Sequence, residues 1–305
     1  MQVYDHWSGL KNKYEKLVVG LGNFDGVHIG HQKLITGVTA YAAKIGGTPA
    51  VITFHPHPMA VIHPENCPPL LLNQEYKHRL IAGLQVKVLL ELPFDHTFAN
   101  ILPEDFIREI LYEGLGAKGV VVGYNFTFGR FGKGDPALLE ALAEKYDYRL
   151  IVLPPVRVGK ETVSSSLIRE MMISGQVDRA AAYLGYNTFV EGKVVTGEKR
   201  GGAIGFPTAN LNIKEDALVP ANGVYSVKVI YNNESYPGVA NIGCKPTFNG
   251  NTRIIEAHLL GYSGDLYGSE IKVEFVGRIR DEIKFSSADE LVNQIRKDVE
   301  AVRNS

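Results

Sequence analysis

The first half of the chain alternates short apolar runs with stretches whose apolar residues recur at helical spacing. Apolar runs of this length predict buried strands, and the amphipathic stretches between them predict helices. The predicted strands are residues 16–24, 49–54, 86–92, 117–123 and 148–154, and the predicted helices are residues 31–45, 73–84, 103–114 and 135–146. This alternation predicts an α/β domain with a parallel sheet. Such sheets bind ligands at the carboxyl ends of their strands.

The pattern changes in the second half of the chain. Residues 164–185 predict two short helices that break near Gly175. The apolar runs that follow are short and β-rich, and they are separated by Gly, Asn and Pro residues. They predict antiparallel strands, which we expect to form a small barrel.

The chain ends in a stretch of helical periodicity. Leu291, Ile295 and Val299 recur at every fourth position, and Ser286 or Ser287 can cap the helix that they predict. We therefore expect an α/β domain over residues 1–185 and an antiparallel β-barrel with a terminal helix over residues 186–305.

Composition narrows the classes of function. The formal net charge of the 305-residue chain is −1, so the broad basic surface of a general nucleic-acid binder is absent. The two cysteines, Cys67 and Cys244, form no C-x-x-C pattern, which favours a reducing compartment. No apolar run approaches the roughly 18 residues of a membrane span, and the N-terminus lacks the apolar core of a signal peptide. We expect a cytoplasmic protein that binds small molecules, with no nucleic acid and no membrane as partner. The sequence does not set its oligomeric state.

A histidine-containing turn, "GNFDGVHIGH" over residues 22–31, joins the first predicted strand to the first predicted helix. Free N–H groups and the helix dipole at that point favour an anion, and His28 and His31 can hydrogen-bond phosphate oxygens. A metal site would need further ligands, such as His55 and His57, but no Cys or Glu-x-x-His pattern accompanies them. A plain turn is the third interpretation. The placement favours phosphate and, with it, nucleotidyl transfer.

This turn resembles the H-x-G-H signature of the nucleotidylyltransferase superfamily. Its longer form, F-D-G-x-H-x-G-H, resembles the prokaryotic bifunctional riboflavin kinase/FAD synthetases. Segments similar to that family follow in order, namely "TFHPHP" (53–58), "VVGYNFTFGRFGKGD" (121–135), "VSSSLIR" (163–169), "GEKRGGAIGFPTANL" (197–211), "GVANIGCKPTF" (238–248), "GDLYG" (264–268) and "GRIRDEIKF" (277–285). The resemblance implies a Rossmann-like nucleotidylyltransferase domain followed by a riboflavin kinase barrel.

For the first domain, the resemblance implies the joining of FMN to the AMP part of ATP, which gives FAD and pyrophosphate. His28 and His31 would stabilise the phosphates in the transition state, and Asn125 would contact the flavin or the adenine. The other residues that the resemblance places around ATP and its phosphates are Gly22, Phe24, Asp25, Gly30, His57, Ser164, Ser165 and Arg169. Ser164 and Ser165 can cap a helix, and Arg169 follows one turn later, where it can pair with phosphate.

For the second domain, the resemblance implies phosphorylation of riboflavin by ATP. The alternation of "RIIEAHLL" puts Glu256 and His258 on one strand face, and Glu256 would be the general base. Thr208 and Asn210 offer the hard oxygen ligands that Mg²⁺ prefers. The remaining candidates are Lys199, Arg200 and Gly205 as an ATP-phosphate cover, and Arg278 and Arg280 as flavin or phosphate contacts. Mg²⁺ would be the cofactor and ATP the co-substrate, while FMN and FAD would be substrate and product rather than prosthetic groups.

Three other functions remain open at this point. One of the two modules could serve only as structure, although both sets of motifs are present. The chain could instead be another nucleotidylyltransferase, such as a cytidylyltransferase or a pantetheine-phosphate adenylyltransferase, but those enzymes would not need "GFPTAN" and Glu256. A non-enzymatic flavin or nucleotide sensor would bind flavin without releasing pyrophosphate or ADP. Two departures from the family pattern, Gly202 where Arg is usual and "LGYN" at 184–187 where L-G-R-P is usual, leave the relative rates of the two reactions open.

Overall fold

The computed structural model describes residues 1–197, 200–213, 217–247 and 250–304. It consists of two compact units, Met1–Ser164 and Ser165–Ser305. Across this described part of the chain, no helix combines the length and the apolar character that a membrane span requires.

The first unit is built on a six-stranded parallel sheet. Its strands are β1 (Gln2–Tyr4), β2 (Val18–Leu21), β3 (Pro49–His55), β4 (Val88–Pro93), β5 (Gly119–Gly123) and β6 (Arg149–Leu153), in the spatial order β1-β4-β3-β2-β5-β6. The chain moves outward from β2 through β3 to β4 and then crosses to β5 on the other side. The order of the sheet therefore reverses between β2 and β5. A short hairpin follows the sheet, with strands β7 (Arg157–Val158) and β8 (Glu161–Thr162).

Helices connect the parallel strands, as the alternating pattern predicted. They are α1 (Leu10–Lys13), α2 (Ile29–Ile45), α3 (Pro58–Ile62), α4 (Gln74–Gly83), α5 (His96–Ala99), α6 (Pro103–Asp105) and α7 (Pro136–Ala143), with 3₁₀ turns at Asp25–Val27, Pro64–Asn66 and Arg130–Gly132. The single helix expected over residues 103–114 starts as α6 and continues as a π-helix over Phe106–Gly114.

The inner strands β2 to β5 are buried on both faces, which explains their continuous apolar runs. Every residue of β2 is buried. Val19 and Leu21 belong to a large core that includes Phe106 of the π-helix. Gly20 faces α2 so closely that an added Cβ would lie 2.8 Å from a methyl group of Val38. This close packing fixes α2, and with it the turn that precedes α2.

The second unit is a closed antiparallel barrel with helices at both ends of its sequence. Its elements are α8 (Ser165–Ile173), α9 (Val177–Leu184), β9 (Phe189–Val195), α10 (Arg200–Ala203), β10 (Ala209–Asn212), β11 (Gly223–Tyr231), β12 (Glu234–Thr247), β13 (Gly250–Leu259), β14 (Glu270–Arg280) and α11 (Ala288–Arg303). The barrel closes in the order β10-β13-β12-β11-β14-β9. The break expected near Gly175 is present between α8 and α9, where Gly175 has a φ of +77°.

The terminal helix α11 packs on the barrel with Val299 and Val302 against Val224 and Val239. Of the two caps expected, Ser287 is the one at its N-terminus, where its hydroxyl accepts a hydrogen bond from the N–H of Glu290 at 3.3 Å. The parallel α/β sheet of the first unit and the antiparallel barrel of the second therefore confirm the expected fold class.

Candidate functional site

The reversal between β2 and β5 brings several predicted residues to one edge of the sheet. The loops that follow β2, β3 and β5 lie at the carboxyl ends of three neighbouring parallel strands. These loops carry His28, His57 and Asn125, respectively. A reversal of strand order in an open α/β sheet creates a crevice in which ligands bind. The fold therefore places the histidine motif where a ligand site is expected.

His28 is the N-cap of α2, and its ring is fixed by the backbone. Its Nδ1 accepts a hydrogen bond from the N–H of His31 at 3.2 Å. Because Nδ1 is the acceptor, the ring proton lies on Nε2. The rings of His28 and His31 stack with centroids 3.6 Å apart and planes inclined by 13°. The His31 ring also packs edge-to-face with the buried Phe24 ring, and the centroids of these two rings are 5.3 Å apart.

Both histidines are neutral near pH 7. Burial lowers the pKa of His28 to about 4. Burial, and then the neighbouring His28, lower the pKa of His31 well below its usual value. Within the described part of the chain, His31 Nδ1 is buried without a hydrogen-bond partner. The pair therefore offers neutral hydrogen-bonding groups at the N-terminus of a 17-residue helix, where the main chain adds further donors.

The backbone around the pair adopts an uncommon conformation. Phe24, Gly26 and Val27 have φ values of +52°, +79° and +35°, and two of these residues carry side chains that disfavour this region. A Cβ at Gly22 would lie 3.0 Å from the Phe24 ring, and one at Gly30 would lie 3.1 Å from the His28 ring. The two glycines thus make room for the rings of the motif. Strained backbone of this kind is concentrated at functional sites.

Other predicted residues of the first unit have different surroundings. The carboxylate of Asp25, which is 6% exposed, accepts a hydrogen bond from the N–H of Leu71 at 3.0 Å. His57 caps α3 by accepting the N–H of Met59 at 3.2 Å, so its ring proton also lies on Nε2. Asn125 is exposed in the loop after β5.

The serine-rich motif falls at the division between the two units. Ser164 ends the first unit, and Ser165 begins both the second unit and helix α8. Ser165 and Arg169 are four residues apart in α8 and therefore share one face of the helix. Arg169 is buried, at 7% exposure.

In the second unit, the predicted base and one predicted metal ligand are direct neighbours. Asn210 on β10 lies opposite Glu256 on β13 in the antiparallel register. Glu256 is half-buried, whereas Ile255 and Ala257 beside it are fully buried. The expected alternation is therefore present, and it directs Glu256 away from the barrel core. Cross-strand neighbours have Cβ atoms about 5 Å apart, so Glu256 and Asn210 can act on one substrate.

The glycine-rich segment, which contains Gly197, Gly201, Gly202 and Gly205, lies against β10 and the residues just before it. A Cβ at Gly197 would overlap the Asn210 side chain, and one at Gly201 would lie 3.3 Å from Thr208 Oγ1. Only glycine allows this approach of the main chain. Gly205 has a φ of +87° and is exposed. Lys199 and the side chain of Arg200 lie outside the described residues.

Sequence reasoning placed His258 beside Glu256 but gave it no role. Its Nδ1 lies 2.7 Å from the carbonyl oxygen of Pro207, immediately before Thr208. Its ring also meets the Phe206 ring edge-on at 5.5 Å. This contact holds the turn that leads into β10. The only feature of the sequence that pointed to His258 is its position on the same strand face as Glu256.

The two arginines of β14 have different partners. Arg280 forms a bidentate pair with Asp298 of α11, with Nη2–Oδ2 at 2.7 Å and Nε–Oδ1 at 3.0 Å. Arg278 donates to the carbonyl of Asn222 and pairs with Asp281, each at 2.7 Å. Neither contact involves Glu256. No group of three or more His, Cys, Asp or Glu side chains suited to a metal ion occurs in the described residues.

Comparisons with known proteins match the two parts of the chain to two different families. A family model described as FAD synthetase matches residues 10–167, and one described as riboflavin kinase matches residues 184–305. A relative from Bacillus subtilis (strain 168), described as a bifunctional riboflavin kinase/FMN adenylyltransferase, is 39% identical over 301 residues, which cover 96% of this chain and 94% of the relative. The chain belongs to the bifunctional riboflavin kinase/FMN adenylyltransferase family.

Another relative and a solved structure are similar to this chain over nearly their whole length. A relative from Escherichia coli (strain K12) with the same description is 35% identical over 285 residues, covering 93% of this chain and 91% of the relative. A solved structure described as a macrolide-efflux protein from Streptococcus pneumoniae superposes with a TM-score of 0.91 at 32% identity, and the match covers 100% of this chain and 99% of that one. The words "macrolide-efflux protein" describe the streptococcal protein and not this chain.

Proposed function

We propose that the chain makes FMN from riboflavin and ATP, and FAD from FMN and a second ATP, with the catalytic residues divided between its two parts. The observation that carries this proposal is that each catalytic group lies in the segment that matches the corresponding family. The neutral His28–His31 pair lies within residues 10–167, and Glu256 lies within residues 184–305. Riboflavin, FMN and ATP are the small-molecule substrates.

In adenylyl transfer, a phosphate oxygen of FMN attacks the α-phosphorus of ATP, and the bond to pyrophosphate breaks. No proton has to be removed from the attacking oxygen, so the protein contributes mainly positioning and charge stabilisation. His28 donates from Nε2–H to a phosphate oxygen, and the N-terminus of α2 adds main-chain donors. His31 stacks on His28 and stabilises phosphate charge from the second position of the stack. Ser164, Ser165 and Arg169 hold the phosphate chain, and Asn125 contacts the flavin or the adenine.

In the kinase reaction, the riboflavin 5′-oxygen attacks the γ-phosphorus of ATP and the bond to ADP breaks. Glu256 accepts the hydroxyl proton on its carboxylate, and no group within the described contacts competes for that carboxylate. Asn210 lies across the strand pair from Glu256, and His258 holds the main chain before Thr208. The glycine-rich segment covers the phosphates.

Mg²⁺ fits the donors of this second site. Thr208 and Asn210 offer neutral oxygens beside a carboxylate, and Mg²⁺ is bound by few protein oxygens together with substrate phosphates. When bound, the ion neutralises phosphate charge and orients the leaving group. We assign Thr208 and Asn210 as its protein ligands. A cytoplasmic location is proposed with this function, because both cysteines are free thiols.

Product analysis of two single variants tests the assignment. Riboflavin, ATP and Mg²⁺ are incubated with the protein, and the flavins are separated by chromatography over time. The unmodified chain is expected to form FMN first and FAD afterwards. His31→Ala is expected to lower FAD formation by about 10²-fold or more, the typical effect of removing one charge-stabilising donor, and to leave FMN formation unchanged. Glu256→Gln is expected to lower FMN formation from riboflavin and to leave FAD formation from supplied FMN unchanged, because the amide cannot accept the proton.

The two variants control for each other, since each retains the activity that the other loses. Equal loss of both activities in a folded His31→Ala protein would contradict the division of residues. Unchanged riboflavin phosphorylation in Glu256→Gln would reject Glu256 as the base. A chain that binds flavin but forms neither product would favour the sensor function.

A further inference from the structure

A buried charged cluster lies next to the histidine loop, which is the turn over residues 22–31 that carries His28 and His31. This cluster has no part in the chemistry described above. Glu91, on β4, is only 8% exposed. Three residues of α4 surround its carboxylate. Gln74 Nε2 donates to Oε2, while Lys77 Nζ and His78 Nε2 lie 3.3 Å and 3.1 Å from Oε1. The Lys77 side chain is itself 12% exposed.

The cluster continues to the histidine loop through a single hydroxyl. Lys77 Nζ lies 3.3 Å from Thr53 Oγ1, and Thr53 Oγ1 lies 2.9 Å from the carbonyl oxygen of Asn23. Thr53 is fully buried on β3, directly opposite Glu91 in the sheet register. Asn23 immediately precedes Phe24, where the uncommon backbone of the loop begins. Four groups thus connect β4 to the residue at which the histidine loop starts.

The direction of each hydrogen bond in this series is set by chemistry. A lysine ammonium only donates, so the Thr53 oxygen must accept from Lys77. The one proton of the hydroxyl is then left for the Asn23 carbonyl. The Glu91 carboxylate holds this ammonium in place through the ion pair between Lys77 Nζ and Glu91 Oε1. Burial raises the pKa of Glu91, but the Gln74 hydrogen bond and the contacts with His78 and Lys77 outweigh it and lower the pKa below its usual value. Glu91 is therefore ionised.

Stability alone does not account for such a cluster. Replacing a buried ion pair by apolar side chains of similar volume is often neutral or stabilising. A buried polar network fixes one arrangement of the groups that it joins. Here the group at its end is the main chain that leads to His28.

We propose that Lys77 and Glu91 are positioning residues for adenylyl transfer, which act by orienting the Thr53 hydroxyl so that it fixes the backbone at Asn23 and thereby the place of His28. This inference rests on the proposed function of the His28–His31 pair. None of the three side chains is required to touch substrate. A displaced catalytic group can slow a reaction about 10²-fold even when the change lies away from the chemistry.

The test compares Thr53→Val, which removes the hydroxyl at nearly constant shape, with Thr53→Ser, which retains it. Thr53→Val and Lys77→Met are each expected to lower kcat for FAD formation from supplied FMN about tenfold or more, with KM for FMN changed by less than about twofold. Thr53→Ser is expected to restore kcat. The double variant Thr53→Val/Lys77→Met is expected to be no slower than either single variant, because both changes break one series of bonds.

Lys87→Met is the matched control, since Lys87 is an exposed lysine in the same unit. It is expected to keep the full rate of FAD formation. Riboflavin phosphorylation by each variant provides a second internal control. Wild-type kcat in Thr53→Val, or an equal loss in Thr53→Ser, would overturn the inference.

A second measurement does not depend on activity. Amide hydrogen exchange of residues 24–28 is expected to be faster in Thr53→Val than in the unmodified chain, and unchanged in Thr53→Ser. Unaltered exchange in Thr53→Val would overturn the inference. Failure of the proposed function would be distinguishable, because the unmodified chain would then convert no FMN to FAD.

Discussion

At the scale of single residues, His28 and His57 use the same hydrogen bond to fix their rings. Each accepts a main-chain N–H at Nδ1, at 3.2 Å, while capping a helix. Each is thereby left with a proton on Nε2. Because burial lowers the pKa of His28 to about 4, its ring is neutral near pH 7 and donates from Nε2 without first having to gain a proton.

The low pKa of His28 also makes folding stability dependent on pH. Its pKa is about 4 in the folded protein, against 6.5 for an unperturbed histidine. Between these values the unfolded chain binds a proton that the folded chain does not. The stabilising effect is therefore fully present above pH 6.5 and is lost as the pH falls towards 4. Full loss corresponds to roughly 3 kcal/mol in the free energy of unfolding.

Urea unfolding at pH 7 and pH 4.5 checks this prediction. The fall in unfolding free energy between the two values is expected to be smaller in His28→Gln than in the unmodified chain. His96→Gln serves as the control, because His96 is exposed. An identical pH dependence in the His28 and His96 variants would show that His28 titrates normally.

At the scale of elements, prediction from sequence succeeded where one physical signal dominated. The apolar runs became parallel strands, of which β2 to β5 are largely buried, and β3 spans Pro49–His55 where residues 49–54 were expected. The serine cap of α11 was also predicted, since its hydroxyl has a local partner. Strand β10 was not predicted. It has only four residues, Ala209–Asn212, and becomes a strand because β9 and β13 pair with it on both sides.

The candidate sites show the same limit. The strand-to-helix turn predicted where His28 would lie, and alternation predicted which way Glu256 would face. The orientation of the Thr53 hydroxyl could not be predicted, because its partners are 24 and 30 positions away in sequence. The π-helix over Phe106–Gly114 was missed because its apolar residues also fit α-helical spacing.

The attachment of α11 to the barrel gives a prediction at this scale. Asp298 is 2% exposed and forms the bidentate pair with Arg280. Asp298→Ala removes one partner of a largely buried pair and is expected to destabilise the second unit by about 3 kcal/mol. Riboflavin kinase activity remaining after graded heating measures this loss.

Glu300→Gln, at an exposed position of the same helix, is the control and is expected to change stability by less than about 0.5 kcal/mol. Equal heat resistance of the two variants would mean that the Arg280–Asp298 pair does not hold the helix to the barrel.

At the scale of the whole molecule, the product of one proposed reaction, FMN, is the substrate of the other. The His28–His31 pair and Glu256 lie in different compact units. An equimolar mixture of His31→Ala and Glu256→Gln is therefore expected to form FAD from riboflavin after a lag, although neither variant does so alone. FMN made by the first variant would be used by the second. Chromatography of the flavins over time measures the lag.

Added FMN is the control for this mixture, and Glu256→Gln is expected to convert it without a lag. A mixture that accumulates no FAD, while each variant retains its single activity, would mean that FMN is passed on only within one molecule.

The pairing of Asn210 with Glu256 has a practical consequence for redesigning the kinase. Their separation is set by the spacing of two hydrogen-bonded strands rather than by the glycine-rich segment. An engineer could therefore exchange residues at exposed, uncrowded positions of that segment, such as Gly202, to alter nucleotide preference. The distance between Glu256, the proposed base, and Asn210, the proposed metal ligand, would stay constant during such redesign. The barrel strands would keep Asn210 and Glu256 in place while different nucleotide-binding segments are introduced.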